Sequence, residues 1–405
     1  MPEPAPANPP ASPRFALLQI CIIGVLGHLV LAGIRVTSTL NLLSQQVSGF
    51  GVGVLLSVFA LAPTLLAMSA GRWLDRVGVQ TPLRLAAAAM LCGSALAWRA
   101  NGGVLLYCAA LCVGGGFMIM HIASQNLVGL LSSESQRANR FAWLSMGFSS
   151  SSFGGPVLAG VLIDHAGHSA AYLLWMTLAA LICLLSALPQ ARIPLHASHQ
   201  RGGDSVLDLG WRNLRLRELF FIVILLASAW DIYVFMLPVI GHALHFSAST
   251  IGFILGVFAA GTFTIRLVMP VLTRRWREWQ ILLGALCIIT LSFMLLPWLE
   301  HKLAFMAQGF VLGLALGAGQ PNMLSLLHQA APPGRVAEVI GIRVSIGNAS
   351  QAMFPVMFGA LSASIGGAPL FLVMGAGLAS GLPLAWRRTR MAVEERALSR
   401  PELFR

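Results

Sequence analysis

Residues 104–126 read VLLYCAALCVGGGFMIMHIASQN, 23 residues without one charged side chain. About 20 residues of α-helix cross the hydrocarbon of a bilayer, so this stretch can span one. Residues 36–71, 303–334 and 344–386 are equally free of charge. The wider composition agrees. Of 405 residues, 57% are hydrophobic and only 10% charged, against about 25% charged in soluble domains; mean hydropathy is +0.79. This excludes a disordered chain, a disulfide-stapled secreted domain and an ordinary cytosolic enzyme.

A net charge of +12 would suit nucleic acid. Here the charges fall in short clusters between apolar stretches, not on one soluble face, so no nucleic-acid partner is expected. The six cysteines (Cys21, Cys92, Cys108, Cys112, Cys183, Cys287) lie inside apolar stretches and form no C-x-x-C pair. They read as inert core thiols, with no metal or cofactor implied. The 25 arginines against one lysine, Lys302, suit a GC-rich bacterial genome.

Twelve spans are expected: 15–38, 51–70, 83–98, 104–126, 141–163, 169–189, 219–241, 250–272, 279–298, 303–327, 338–363 and 368–386. They must be helices, because lipid offers backbone groups no partner outside the segment. A membrane barrel would show shorter, alternating segments. If the N-terminus is cytoplasmic, 21 of the 26 basic residues fall on the inner side. Only Arg99 and Lys302 fall outside, and Arg35, Arg266 and Arg343 lie within spans. That asymmetry predicts both termini inside. Residues 1–14 hold six prolines and read as a disordered cytoplasmic lead-in. No small-residue cleavage site follows, so the first span is expected to be retained.

The longest polar segment, 190–218, bisects the chain. It reads as a cytoplasmic linker between two six-helix bundles, 15–189 and 219–386, with a cytoplasmic tail at 387–405. A repeat supports the division. A shift of 199 residues lays Gly53, Val58, Phe59 and Ala60 on Gly252, Val257, Phe258 and Ala259. It also lays Pro156, Val157, Gly160, Leu162 and Gly167 on Pro355, Val356, Gly359, Leu361 and Gly366. The expected fold is an all-α integral membrane protein of twelve transmembrane helices in two pseudo-symmetric six-helix bundles, as in one class of secondary transporter.

The loop expected after span two reads Gly71-Arg72-Trp73-Leu74-Asp75-Arg76-Val77-Gly78. It resembles the G-x-x-x-D-R-x-G signature of the major facilitator superfamily, in the loop and on the side where that family places it. The basic residues that usually follow are replaced by Val79-Gln80-Thr81, with Arg84 as a partial substitute. Gly71 allows close helix approach, and Asp75 is an anion that either caps a helix or pairs with an arginine across the two halves. In the second half the motif has decayed, with Pro270 and Arg274 at the matching positions. The latch is therefore expected to be asymmetric, with Arg343 the candidate partner of Asp75. The alternative is a plain solvated loop charge.

Span five contains Ser151-Ser152-Phe153-Gly154-Gly155-Pro156-Val157-Leu158-Ala159-Gly160. It looks like the G-x-x-x-G-P-x-x-G-G motif of the superfamily's exporter branches, with Ser151 and Ala159 replacing two glycines. Gly155, Pro156 and Gly160 carry the match; generic small-residue packing is the competing reading. Span four lacks the arginine of many drug/proton exporters, which counts against their standard mechanism.

Ionisable groups inside spans are functional candidates by default. Asp231, in Ala229-Trp230-Asp231-Ile232-Tyr233, is the only acid at mid-depth. It is either a proton carrier or cation contact, or a carboxylate paired with an arginine of another helix. The resemblance puts spans one, four, seven and ten around a central cavity. There Arg35 meets an anionic substrate group, pairs with Asp231 or snorkels to the interface, with Trp230 and Tyr233 as neighbours. Arg266 is the weaker cavity candidate. His121, Gln125 and Asn126 on span four, with Gln320 and Asn322 on span ten, form an inner gate, touch substrate or glue helices. His28 is a further cavity residue, or a packing histidine.

No H-E-x-x-H, G-x-S-x-G or P-loop pattern occurs, so a membrane-embedded enzyme and an ATP-driven pump are disfavoured. A sensor would need a larger soluble output domain. The expected function is proton-coupled export of a small organic compound (drug, siderophore or metabolite) by a monomer in a bacterial inner membrane. Proton-coupled import of an organic anion is the alternative.

Overall fold

The computed structural model describes residues 13–100, 103–131, 134–188, 213–332 and 335–399. The apolar runs fold as helices: α1 (Pro13–Ser44), α2 (Gly49–Val77), α3 (Gln80–Arg99) and α4 (Val104–Leu130). The helical stretch Glu134–Ala187 is broken at Gly167, whose φ of 81° is left-handed. It forms α5 (134–166) and α6 (168–187). Then come α7 (Leu214–Ala243), α8 (Ala248–Arg275), α9 (Glu278–Leu295) with a 3₁₀ turn at Leu296–Trp298, and α10 (Lys302–Ala330). The last are α11 (Val336–Ile365), α12 (Gly367–Ala379) and α13 (Leu382–Ser399). No strand occurs among the described residues.

Helices α1 to α12 follow the twelve expected spans in order. Among the described residues, eight helical stretches are long and apolar enough to cross a membrane by themselves. One of these, Trp143–Ala187, is 45 residues long and carries the Gly167 break, so it is long enough for two passes.

Three expectations need correction at their edges. The expected tail begins inside a helix: span twelve breaks at Ser380–Gly381, and α13 continues to Ser399. Residues 214–218 of the expected linker are the first turn of α7, capped by Asn213, whose side chain accepts from the N–H groups of Arg215 (3.0 Å) and Leu216 (3.4 Å). The rest of the linker lies outside the described residues, as do residues 1–12 of the expected lead-in. The stretch 71–77 is not a loop but the last two turns of α2. The helix closes only at Gly78, where φ is 83° and the N–H donates to Leu74 O (3.0 Å). A glycine suits that backbone because a side chain there is strained.

The two halves repeat each other in backbone detail. Gln46 and His245, 199 positions apart, both adopt left-handed φ, 59° and 57°. Such values are uncommon away from glycine. Two residues later Ser48 and Ser247 each cap the helix that follows, α2 and α8. Gly167 and Gly366 share φ values of 81° and 84°. Within each half the same contact recurs: Gly114 of α4 lies against the Phe59 carbonyl of α2, and Gly313 of α10 against the Phe258 carbonyl of α8.

The halves meet along two seams, α2 with α11 and α5 with α8. Both are tight at the end of the bundle remote from the chain termini. Gly160 packs on the backbone of Ala248 and Ser249, and its repeat mate Gly359 on Gly49 and Phe50. In lipid, where apolar burial drives little, such small-residue contact is what holds helices together. Among the described residues no comparable seam joins α4 to α10.

Candidate functional site

The first helix of each half carries a charged group within its span. Arg35 sits on α1. Just beyond it α1 is fixed by α6: Trp175 Nε1 donates to Thr37 Oγ1 (2.9 Å) and the Tyr172 hydroxyl donates to Ser38 Oγ (3.3 Å). Asp231 sits on α7. Both side chains are half-buried. They lie within electrostatic range of each other, but among the described residues no hydrogen bond or ion pair joins them. Asp231 Oδ2 is buried without a donor.

The neighbours of Asp231 are aromatic. Trp230 stands edge-on to Phe258, with ring centroids 5.0 Å apart. Tyr233 is fully buried at 4.9 Å from the same ring, and its hydroxyl has no partner. Tyr233 also packs on Gly309 of α10, where any Cβ would crowd the hydroxyl.

His28 and His121 belong to one ring cluster between α1, α4 and α5. His28 lies 5.4 Å from Phe117 and from Phe148; His121 lies 5.4 Å from Phe117 and 4.9 Å from Phe148. The helices come this close because Gly24 and Gly27 present bare backbone to Ser124 and Met120. His121 Nε2 shares a 2.8 Å hydrogen bond with Gln125 Nε2, while Nδ1 of both histidines is buried and unpartnered.

The other polar candidates separate. Gln125 is exposed and Asn126 half-buried on α4; Gln320 is exposed on α10. Asn322 is buried and donates to Ala318 O in its own helix (2.8 Å), so it serves packing. The polar sets of α4 and α10 do not meet among the described residues, so no gate between them is formed here. Arg266 is engaged instead: it donates to Ser149 Oγ on α5 (3.0 Å) and to Gln320 Oε1 (3.4 Å), bridging the halves.

At the end remote from the termini, one side chain missed by the sequence reading joins the halves. Both carboxylate oxygens of Asp164, on α5, accept backbone N–H groups at the N-terminus of α8: Ala248 at 3.0 Å and Ser249 at 2.8 Å. Those N–H groups have no partner within the helix, and the positive end of the helix dipole favours an anion. The position 199 residues later is Ala363, so the α2–α11 seam has no such carboxylate. There Ser362 packs against Gly49. Acid placement one turn before the Gly167 break, facing a Ser-capped helix start, was the available signal.

At the opposite end Arg343 is half-buried on α11 and has no ion-pair or hydrogen-bond partner among the described residues. Arg76 is exposed. The side chains of Gly71, Arg72 and Asp75 lie outside the described ones, so the expected Asp75–Arg343 pair does too. In the span-five motif, Gly155 packs on Ala32 and Gly33 of α1, while Pro156 and Gly160 face α8.

A family model described as Major Facilitator Superfamily matches residues 20–355 and again residues 219–404. No curated protein matches the chain in sequence. A solved POT family transporter in complex with 5-aminolevulinic acid superposes with a TM-score of 0.75 at 13% identity, over 93% of this chain and 96% of that one. The nucleoside transporter NupG gives 0.74 at 12% identity, over 92% and 99%. A bacterial homolog of the human lysosomal transporter Spinster, inward-facing and unoccupied, gives 0.72 at 14% identity over 95% of both chains. At such identities the likeness speaks to the fold alone.

Proposed function

The chain belongs to the major facilitator superfamily, and from that premise we propose that it is a secondary transporter exporting a small organic compound in exchange for protons, by alternating access. It is a multi-pass membrane protein with the twelve-helix fold of that family. The reading takes the two halves, 15–189 and 219–386, as rocking bodies around a site between α1 and α7. It takes the terminus-bearing end as cytoplasmic, since 21 of 26 basic residues fall there and cytoplasmic loops retain Lys and Arg. The membrane is then a bacterial inner membrane and the working unit a monomer.

One observation carries the reading. Among the described residues the halves are closed most tightly at one end, by the glycine seams and Asp164, are joined nearer mid-depth by Arg266 with Ser149 and Thr64 with Asn348 O, and show no seam of α4 with α10 toward the other end. Under the orientation above, this is the inward-open form. Opening outward requires the Asp164 hydrogen bonds to break and the seams to part. A ligand shifts that balance only through different affinity for the two forms. Asp231, a carboxylate on α7 with one oxygen buried and without a donor, is the group whose charge state can supply the difference.

Import of an organic anion is the second reading, favoured by the guanidinium of Arg35 on α1, which has no acceptor among the described residues. Transport in proteoliposomes with an imposed pH gradient, inside acid and then outside acid, separates the two. The Asp231→Asn variant should lose gradient-driven transport while retaining exchange. Full gradient-driven transport by that variant would remove Asp231 from coupling.

A further inference from the structure

At the terminus-bearing end a cavity of about 460 Å³ opens between the start of α7 and α13, lined by Leu214, Arg217, Glu218, Phe221, Leu384 and Arg387. That is the size of an ordinary small-molecule site. Two stripes build it. Leu214, Arg217, Phe221 and Ile224 recur at steps of three and four residues along α7, and Leu384, Arg387 and Met391 do so along α13, so each set shares one helix face. Leu214, Phe221, Ile224 and Met391 are exposed, on the outside of the bundle where lipid surrounds it. The charges do not balance. Glu218 is met by Arg388, and the two are only 11% and 12% exposed. Arg387 lies 3.5 Å from the same carboxylate but is 59% exposed. Arg217 is exposed and has no acidic partner among the described residues. The depth is marked by Trp386, next to Arg387, which is exposed and carries the Arg390 guanidinium 5.1 Å above its ring. Exposed tryptophans of a membrane protein sit at headgroup level. From there α7 runs inward, so Phe221 and Ile224 continue from the arginines into the span.

We propose that this cavity binds an anionic phospholipid, with its phosphate between the Arg217 and Arg387 guanidiniums and its acyl chains along Phe221 and Ile224. A guanidinium fork matches phosphate oxygens in a bidentate manner and stays charged at any working pH. Basic pockets at the ends of membrane helices select anionic headgroups. A soluble phosphate compound meets the arginines but leaves the apolar stripe beside them unused. A zwitterionic lipid brings its own ammonium next to two guanidiniums. The bound lipid bridges the first helix of the second half to the last helix, beside the Glu218–Arg388 pair, and stabilises the folded chain by mass action. The site requires only that the chain crosses a membrane, whatever the substrate and direction of transport.

The test titrates the purified full chain, in a neutral detergent, with phosphatidylglycerol and with phosphatidylcholine of the same acyl chains. Glycerol 3-phosphate and inorganic phosphate are the soluble arms. Native mass spectrometry reads retained lipid and its affinity, and the melting temperature is the second readout. Phosphatidylglycerol should bind about tenfold more tightly than phosphatidylcholine and raise the melting temperature, while the soluble phosphates do neither. Arg217→Gln and Arg387→Gln should each weaken phosphatidylglycerol about fivefold, and the double variant should lose the preference for it. Both side chains are exposed, so the lipid-free melting temperature should stay near that of the wild type. Arg217→Lys and Arg387→Lys, which keep the charge, should retain most of the preference. Arg274→Gln removes an exposed arginine at the same end, on α8 and outside the cavity, and should bind lipid as the wild type does. The proposal is overturned if phosphatidylcholine binds as tightly as phosphatidylglycerol, or if neither cavity variant changes the affinity. It is also overturned if Arg274→Gln weakens binding as much as Arg217→Gln, which would mark diffuse attraction to a basic surface. Soluble phosphates binding as tightly as the lipid would overturn it too, and assign the cavity to a soluble anion.

Discussion

Gly53 of α2 and Pro355 of α11 meet backbone to backbone: a Cβ on Gly53 would overlap the Pro355 carbonyl oxygen. The contact is repeated 199 residues on, where Gly252 of α8 meets the carbonyl of Pro156 in α5. Each glycine thus faces the repeat mate of the other's proline. This is the relationship a twofold axis between the halves demands, and it places one conserved-by-geometry contact in each seam.

Gly53→Ala should therefore act on conformation before it acts on substrate. The new methyl has backbone in its way rather than a yielding side chain, and overpacking of this kind costs about 1–3 kcal/mol. The cost falls on the form in which the seam is closed. In a background without native cysteines, a Ser48→Cys probe at the start of α2 should react several-fold faster with a membrane-impermeant maleimide. Unchanged reactivity with unchanged transport would mean that the seam tolerates the methyl.

Asp164 closes the α5–α8 seam with charge as well as shape. An anion at a helix N-terminus contributes about 0.3–1 kcal/mol when exposed and up to about 2 when partly buried. Asp164 is exposed, so Asp164→Ala should shift the equilibrium toward the opposite-facing form by about 2- to 5-fold. Asp164→Asn, which keeps one acceptor, should fall between. Spin-label distances across the far ends of α5 and α8 would report the shift, and identical distributions in all three proteins would reject the latch.

The repeat offers the reverse experiment. Ala363 is exposed at the position equivalent to Asp164, opposite the Ser48-capped start of α2. Ala363→Asp should add the missing carboxylate beside the free N–H groups of Gly49 and Phe50. The expected outcome is a higher melting temperature with a turnover rate several-fold lower, because the closed seam gains stability that opening must overcome. A faster rate would show that seam opening does not limit the cycle.

What could be read in advance follows from which forces are local. Residues 104–126 declare a span because hydropathy is a property of the residues themselves, and the 199-residue repeat is visible because both seams need glycine and proline at fixed places. The motif at Gly71–Gly78 was misplaced in a loop, since its charges suggested solvent while its helix end is set by the φ of Gly78. Asp164 escaped notice because one acid at a span edge looks like any solvated charge, and only the fold brings α8 to it. The tie of Arg266 to the other half is hidden for the same reason: Ser149 lies 117 residues away in sequence.

The start of α7 is bound to the last helix by charge. Glu218 pairs with Arg388, and with Arg387 at 3.5 Å. Glu218 and Arg388 are only 11% and 12% exposed. Removing one partner of a pair this buried leaves an uncompensated charge, at about 3–5 kcal/mol, whereas removing both is often nearly neutral. Glu218→Gln or Arg388→Gln alone should lower the melting temperature clearly, Arg388→Gln somewhat less because Glu218 keeps Arg387. The double variant should recover most of the loss, and substrate affinity should not change in any of them, since the pair lies at the terminus-bearing end, away from Asp231. Additive losses in the double variant would show that the two side chains stabilise the protein independently.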